Sequence, residues 1–296
     1  MSDMTILDGS IGQELVRRFG DLNKPLWGIG VMADNPEIVR AVHADYFAAG
    51  ADVATTNTYN IHKDRFIRDG VPDQFEKLNR LGCRLAAEAR DAYGAGLVAG
   101  SLGPLGGSYR PDRGNDVDEA AETFAEVARG QADIVDLYLI ETMSSLDAAR
   151  GAYLGAKSVG KPVWLAYSVD DDDGSRLRSG ESVADAVALA NELAFDALLI
   201  NCSRPEAVTT AFKHMGAATM PTGAYANGFT RITDAFKSDN PLITDLNERQ
   251  DLGPDAYADF AGLWAADGGT IIGGCCEVGP AHIAELTRRF KPAIAA

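Results

Sequence analysis

Cysteine is scarce in this chain, with four in 296 residues. A disulfide-stapled fold needs a dense, paired set in a short sequence, so that class is excluded. Basic residues are outnumbered, with 27 lysines and arginines against 43 aspartates and glutamates and a net charge of −16. A protein that grips nucleic acid meets phosphate with a basic face, so no nucleic-acid partner is expected. No stretch approaches the roughly 18 apolar residues of a membrane helix, so no membrane partner is expected either. The opening MSDMTILDGS has neither the basic nor the apolar region of a leader. The expectation is a cytoplasmic protein with reduced thiols. The dinucleotide fingerprint G-x-G-x-x-G is also missing, because DGSIGQEL has a different spacing. Aspartates cluster in SVDDDDGSRLRSGES (168–182) without EF-hand spacing, which reads as an acidic solvated loop. GSLGPLGG (100–107) lacks the Walker lysine and reads as backbone approaching a substrate closely.

What is present is ordinary globular composition, 46% hydrophobic and 24% charged. The length suits one large α/β domain or two medium ones. Eight short β-type runs recur: MTILDG (4–9), VATTNTY (53–59), LVAGSLG (97–103), VDLYLIET (135–142), VWLAYSV (163–169), ALLINCS (197–203), TGAYAN (222–227) and TIIGG (270–274). Most are continuously apolar, as strands buried on both faces of a parallel sheet are. Helix signals lie between them. Asn35 as N-cap, Pro36 in the first turn and Gly50 as a stop frame a helix with Ile38, Val42 and Tyr46 on one face. NDVDEAAETFAEVARG repeats the pattern with Val117, Ala120, Phe124 and Val127. Ser144 with Asp147, and Ser203 with Glu206, have capping-box spacing, and Pro280 opens a last helix that ends in cations. Eight strands each followed by a helix close most simply into a (β/α)8 TIM barrel, an α/β fold expected to form one domain over 1–296. An open doubly wound sheet is the rival. The segment 10–52 is expected to hold an extra helix or lid, and 228–253 to loop over one mouth.

In such a barrel the active site lies at the C-terminal strand ends. Those ends carry Asp8 and Gly9, then Thr56 to Tyr59, Glu141 and Thr142, Asn201 and Cys202, Tyr225 and Asn227, and finally the adjacent Cys275 and Cys276. Cys83 falls instead in a helical stretch and reads as a packed core thiol. Three thiols on one rim fit a zinc site with a fourth position for a substrate. The alternative is three small core hydrophobes. Helix starts follow Cys202 and Cys276 and favour the thiolate that a metal needs. A metal already bound by three thiolates generates hydroxide poorly and suits one more sulfur. Coordination deprotonates a thiol, a gain of roughly 2 kcal/mol in thiolate population at pH 7. Alkyl transfer to sulfur is the reaction class this implies.

LDGSIGQEL, TTNTY, GSLGPLG, IETMSSLDAA, INCSRPEAV and IIGGCCEVGPAHI together resemble the motifs of the homocysteine S-methyltransferase family, over nearly the whole chain. The resemblance implies a zinc-dependent barrel that methylates homocysteine to methionine. It implies Cys202, Cys275 and Cys276 as zinc ligands. It further implies Glu141 and Asp8 on the homocysteine amino group, with Thr56 and the Gly9 backbone on its carboxylate. An ammonium in a buried mouth does need carboxylate partners. Asn227 sits where some relatives place a strand-seven asparagine near the metal. The chain departs from the family pattern after Cys276, where a Thr-rich stretch is usual, and in 228–253. Betaine-using relatives carry tyrosines where this chain has Asn60 and Thr142, so the aromatic cage a quaternary ammonium wants is missing and betaine is disfavoured. The expected donor is a sulfonium, S-methylmethionine or S-adenosylmethionine, as in stand-alone relatives of this length. Trp27, Tyr59 and Tyr109 offer aromatic faces near the mouth. A rival reading takes the methyl group from a corrinoid protein in trans, and a third makes the chain a non-catalytic zinc-holding scaffold.

Overall fold

The computed structural model describes residues 4–19, 27–68, 70–113, 116–238 and 245–291. Eight parallel strands form one sheet: β1 (Thr5–Ile6), β2 (Val53–Thr55), β3 (Leu97–Leu102), β4 (Leu137–Met143), β5 (Val163–Tyr167), β6 (Ala197–Asn201), β7 (Thr222–Tyr225) and β8 (Ile271–Ile272). Each pairs with its sequence neighbours, and β1 pairs with β8. A parallel bridge from Leu7 to Val53 closes the circle between β1 and β2. All eight apolar runs are therefore strands, and the architecture is the expected α/β (β/α)8 barrel rather than an open sheet. The strands are shorter than the runs because the polar C-terminal residues of each run leave the ladder and line the rim.

Alternate residues separate two cores. Leu7, Val53, Leu139, Leu199 and Ile271 fill the barrel interior. The residues between them pack outward against the helices. The helices that follow β2 to β8 include α5 (Phe75–Tyr93), α6 (Val117–Gln131), α7 (Leu146–Lys157), α8 (Val183–Leu193), α9 (Pro205–Phe212), α10 (Pro254–Ala266) and α11 (Pro280–Phe290). The long first connection holds α1 (Ile11–Phe19) and α2 (Trp27–Asp34) before α3 (Pro36–Ala48), so it carries two extra helices. A short α4 (Lys63–Arg68) precedes α5. None of the described helices is long and apolar enough to cross a membrane.

Two expected caps move by one residue. Ser145, not Ser144, accepts the Ala148 amide at the start of α7, and Pro205 opens α9 with Arg204 rather than Ser203 as N-cap. Ser144 and Ser203 are buried, and the Ser203 hydroxyl is committed to the backbone of Val169. Asn35 precedes α3 without a side-chain cap bond. Segment 228–253 does arch over the rim, joined to itself by a bridge between Phe229 and Glu248. Its residues 239–244 lie outside the described part, as does the side chain of Trp27.

Candidate metal centre and substrate site

β6 runs straight into Cys202, whose φ of 47° turns the chain out of the strand. Its amide still donates to the Tyr225 carbonyl at 3.1 Å, so the residue is held at the rim. β8 leads through Gly273 and Gly274 to Cys275 and Cys276. The two glycines are required by crowding. A Cβ on Gly273 would stand 2.5 Å from the Leu7 Cβ, and one on Gly274 would stand 2.5 Å from the Val278 Cβ. The Cys275 amide donates to the Ala226 carbonyl at 3.0 Å, and the Cys276 carbonyl accepts the Gly228 amide at 2.8 Å. These bonds tie β8 to the β7 loop and bring the three thiols together.

The Cys275 sulfur lies 2.8 Å and the Cys276 sulfur 3.9 Å from that of Cys202, and all three fall within 4.8 Å of one another. Cys202 is buried, and Phe229, Ile232, Phe236 and Leu246 of the arching segment surround the cluster. Hydrogen bonds from Cys275, Cys276 and Tyr109 hold the Cys202 thiol well below its ordinary range, against the opposing effect of burial. Cys275 and Cys276 are pushed up, first by their bonds to Cys202. A soft divalent cation would take the place of the thiol protons, so this donor set fits the metal that three rim cysteines predict. Cys83 is buried in α5, where its sulfur donates to the Asn79 carbonyl, and takes no part.

Two carboxylates face the same mouth. Glu141 lies on β4 at a point where the register with β5 shifts between Ile140 and Met143. Thr142, at φ 61°, completes the irregularity. The Asn201 side chain clamps it by accepting the Thr142 amide and donating to the Thr142 hydroxyl, both at 3.0 Å. Such a bulge re-aims a side chain. The Ser101 hydroxyl donates to one Glu141 oxygen and the Tyr225 hydroxyl to the other at 3.2 Å. Burial, with the Cys202 charge adding to it, pushes the carboxyl up to about 7. Asp8 accepts the Thr55 amide at 2.7 Å and the Thr55 hydroxyl at 2.9 Å. Burial still raises it well above the usual carboxylate range, and the Glu141 charge contributes. Two buried carboxylates that both resist ionisation would be stabilised in their charged form by a nearby cation.

The remaining expected residues divide. Gly9 sits two residues before α1, with Ser10 between them, packed so closely that an added Cβ would stand 2.8 Å from the Tyr46 ring. Thr56 turns its hydroxyl away from the mouth. It accepts the Ser101 amide and pairs with Thr58, in a buried polar cluster with Gln131 and Asn79 between the sheet and α5 and α6. The threonine that meets Asp8 is Thr55. Asn227 is fully buried, its Oδ1 accepts the Phe229 amide, and its Nδ2 has no partner among the described residues.

Several rim residues were not legible. The sequence offers Tyr109 only as an aromatic face, yet its hydroxyl lies 2.9 Å from the Cys202 sulfur. SVDDDDGSRLRSGES is only partly a solvated loop. Asp171 and Arg178 form an ion pair at 3.1 Å with side chains only 9% and 5% exposed. The one signal for this was a pair of arginines placed among the aspartates just past a strand end.

Four of the five non-glycine residues with positive φ among those described are Tyr109, Thr142, Cys202 and Glu277, all at or beside the cluster. Backbone strain of this kind gathers at functional sites.

The family model for homocysteine S-methyltransferase matches residues 5–290. A homocysteine S-methyltransferase of Escherichia coli (strain K12) is 31% identical, with 97% of this chain and 95% of that protein covered. A selenocysteine Se-methyltransferase of Brassica oleracea var. italica is 27% identical, over 96% of this chain and 88% of that one. The crystal structure of the homocysteine methyltransferase MmuM from Escherichia coli in its metallated form superposes with a TM-score of 0.81 at 30% identity, covering 97% of this chain and 96% of that one.

Proposed function

The chain belongs to the homocysteine S-methyltransferase family, and from that premise we propose that it methylates the sulfur of homocysteine, with zinc as the metal and a sulfonium as the methyl donor. The observation that carries the reading is the convergence of Cys202, Cys275 and Cys276 within 4.8 Å beside two buried, cation-seeking carboxylates.

Cys202, Cys275 and Cys276 hold the zinc. When bound, the metal supplies Lewis acidity that lets an incoming thiol lose its proton near neutral pH. Asp8 and Glu141 take the homocysteine ammonium, which provides the positive charge both lack. The backbone at Gly9, at the N-terminus of α1, receives the carboxylate, as helix starts receive anions. The Thr56 backbone borders the same place, and the Asn227 amide serves the side nearest Cys276. With the amino-acid head fixed, the homocysteine sulfur points at the thiol cluster. Its lone pair forms the new bond to the methyl carbon while the bond from that carbon to the donor's sulfur breaks. The donor leaves as a neutral thioether. An anionic nucleophile and a cationic donor lose charge in this step, so the apolar roof of Phe229, Ile232, Phe236 and Leu246 favours it by keeping water out. Because β1 completes the barrel by pairing with β8 on one side and bridging to Val53 on the other, residues 1–296 act as one domain in this reading.

The deciding experiment offers homocysteine and a panel of donors to the zinc-loaded protein. Methionine is expected from S-methylmethionine or S-adenosylmethionine, and none from betaine. Methionine from a methylated corrinoid protein alone would replace the sulfonium with a protein donor in trans. No product with any donor, with zinc bound, would leave a scaffold.

A further inference from the structure

We propose that Tyr109 is a positioning residue for the thiol cluster, its hydroxyl donating a hydrogen bond to the Cys202 sulfur while Arg178 and Phe236 fix its ring. The inference rests on reading the cluster as a metal centre and adds a residue that acts on a ligand rather than on the substrate.

Tyr109 lies in the loop after β3, 93 residues from Cys202, with its oxygen 2.9 Å from that sulfur. Its φ is 62°. A bulky aromatic residue adopts that conformation only where the surroundings over-determine it. Here they do. The Arg178 guanidinium lies over the ring, 4.7 Å from its centroid. The Phe236 ring flanks it at 6.0 Å. Arg178 is itself fixed, since its Nε donates to the Ser168 hydroxyl at 2.7 Å and its Nη2 to Asp171 at 3.1 Å. The second Asp171 oxygen accepts the Ile232 amide of the arching segment at 2.9 Å. A chain of contacts therefore runs from the arch through Asp171 and Arg178 to the phenol and the sulfur.

A hydrogen bond to a ligating sulfur withdraws electron density from it. Cys202 then donates less to the metal, and the metal retains more Lewis acidity for the incoming thiol. Losing the hydroxyl weakens the hold on homocysteine more than it slows transfer from the loaded site.

Cobalt(II) in place of zinc makes the sulfur-to-metal charge transfer visible, so the test compares cobalt-loaded parent and Tyr109→Phe. The variant is expected to keep one cobalt per chain and a melting temperature close to the parent's. Its charge-transfer band should move to longer wavelength, because the sulfur electrons are no longer held down. Its KM for homocysteine should rise about five- to tenfold, with kcat changed less than twofold. Arg178→Met, which frees the ring, should move the band the same way by less. A band that stays in place in a folded, loaded Tyr109→Phe overturns the proposal. So does a changed ligand-field intensity that signals a lost ligand, because the phenol would then bind the metal directly. A parent protein that takes up no cobalt removes the metal reading itself, and is distinguished by appearing before any substitution.

Discussion

The Cys275 sulfur stands 2.8 Å from that of Cys202 across 73 residues of sequence. Nothing local arranges this. It follows from β6 and β8 flanking β7 in a closed parallel sheet, whose register places Tyr225 beside Asn201 and Ala224 beside Ile272. Barrel closure is thus the step that assembles the site, and the cluster exists only in the complete fold.

Replacing one of the three thiols should empty the centre. Cys275→Ser is expected to lower bound zinc from one per chain to under about a tenth, because a serine hydroxyl is a hard and poorly ionised donor where soft sulfur is needed. Elemental analysis of the purified variant reads this directly, and full occupancy would refute the ligand assignment. Cys83→Ala is the control. Its sulfur is buried in α5 and its thiol is pushed up to about 12 by burial. That variant should keep its zinc and lose about 1–2 kcal/mol of stability to the small cavity.

Chelation should separate activity from folding. The apolar interior and the helix layer hold the barrel without the centre, so stripping zinc is expected to abolish methyl transfer and leave the far-ultraviolet circular dichroism unchanged. The melting temperature should fall by a few degrees through lost ligand binding. Unfolding on chelation would make the metal structural.

How far the site could be read before folding depended on side-chain parity. Strand positions and the three cysteines follow from apolar runs and rim logic, because a parallel barrel buries its strands on both faces. Thr55 and Thr56 show the limit. A one-residue difference in where β2 ends sends a hydroxyl to the mouth or to the helix layer, and the string TTNTY carries no mark of which. The Glu141–Thr142 bulge is equally silent in IETMSS, since its clamp is Asn201, on a different strand. Tyr109 and the pair of Asp171 with Arg178 meet only after two separate loops, those following β3 and β5, have packed together. Ser145 capped α7 in place of Ser144 because the tertiary fold buried the other candidate.

The Asp171–Arg178 pair should be costly to break. Asp171→Ala leaves a guanidinium nearly buried and unpaired, with an expected loss of about 3–5 kcal/mol. It also strips the acceptor from the Ile232 amide, so the arch should become more open to proteolysis. Adding Arg178→Met should recover a good part of the loss, as the uncompensated charge is then gone. Urea unfolding of the two singles and the double gives the coupling. Strict additivity would mean the two side chains do not depend on each other.

Glu141 makes stability and substrate binding run in opposite directions with pH. Its folded carboxyl is raised by burial from 4.5 to about 7. The unfolded chain therefore releases this proton first, and the folded state is penalised as pH climbs from about 4.5 to about 7, by about 3 kcal/mol in all. His43 works against this. Burial lowers it to about 4 from 6.5, so it removes stability as pH falls through that lower interval. The Glu141 effect is therefore read as the difference between parent and Glu141→Gln at each pH. That difference should be near zero at pH 4.5 and favour the glutamine variant by up to about 3 kcal/mol at pH 8. Homocysteine changes the sign of the advantage. Its ammonium needs an ionised partner, so in the parent Glu141 should add up to one proton, beyond the one the thiol gives up at the metal, to those released on binding near pH 6, measurable as a buffer-dependent calorimetric heat. Glu141→Gln should release fewer and bind about a hundredfold more weakly, as expected for losing a buried charge partner. A variant that binds homocysteine as tightly as the parent, or a stability difference flat from pH 4.5 to 8, would remove Glu141 from the ammonium site.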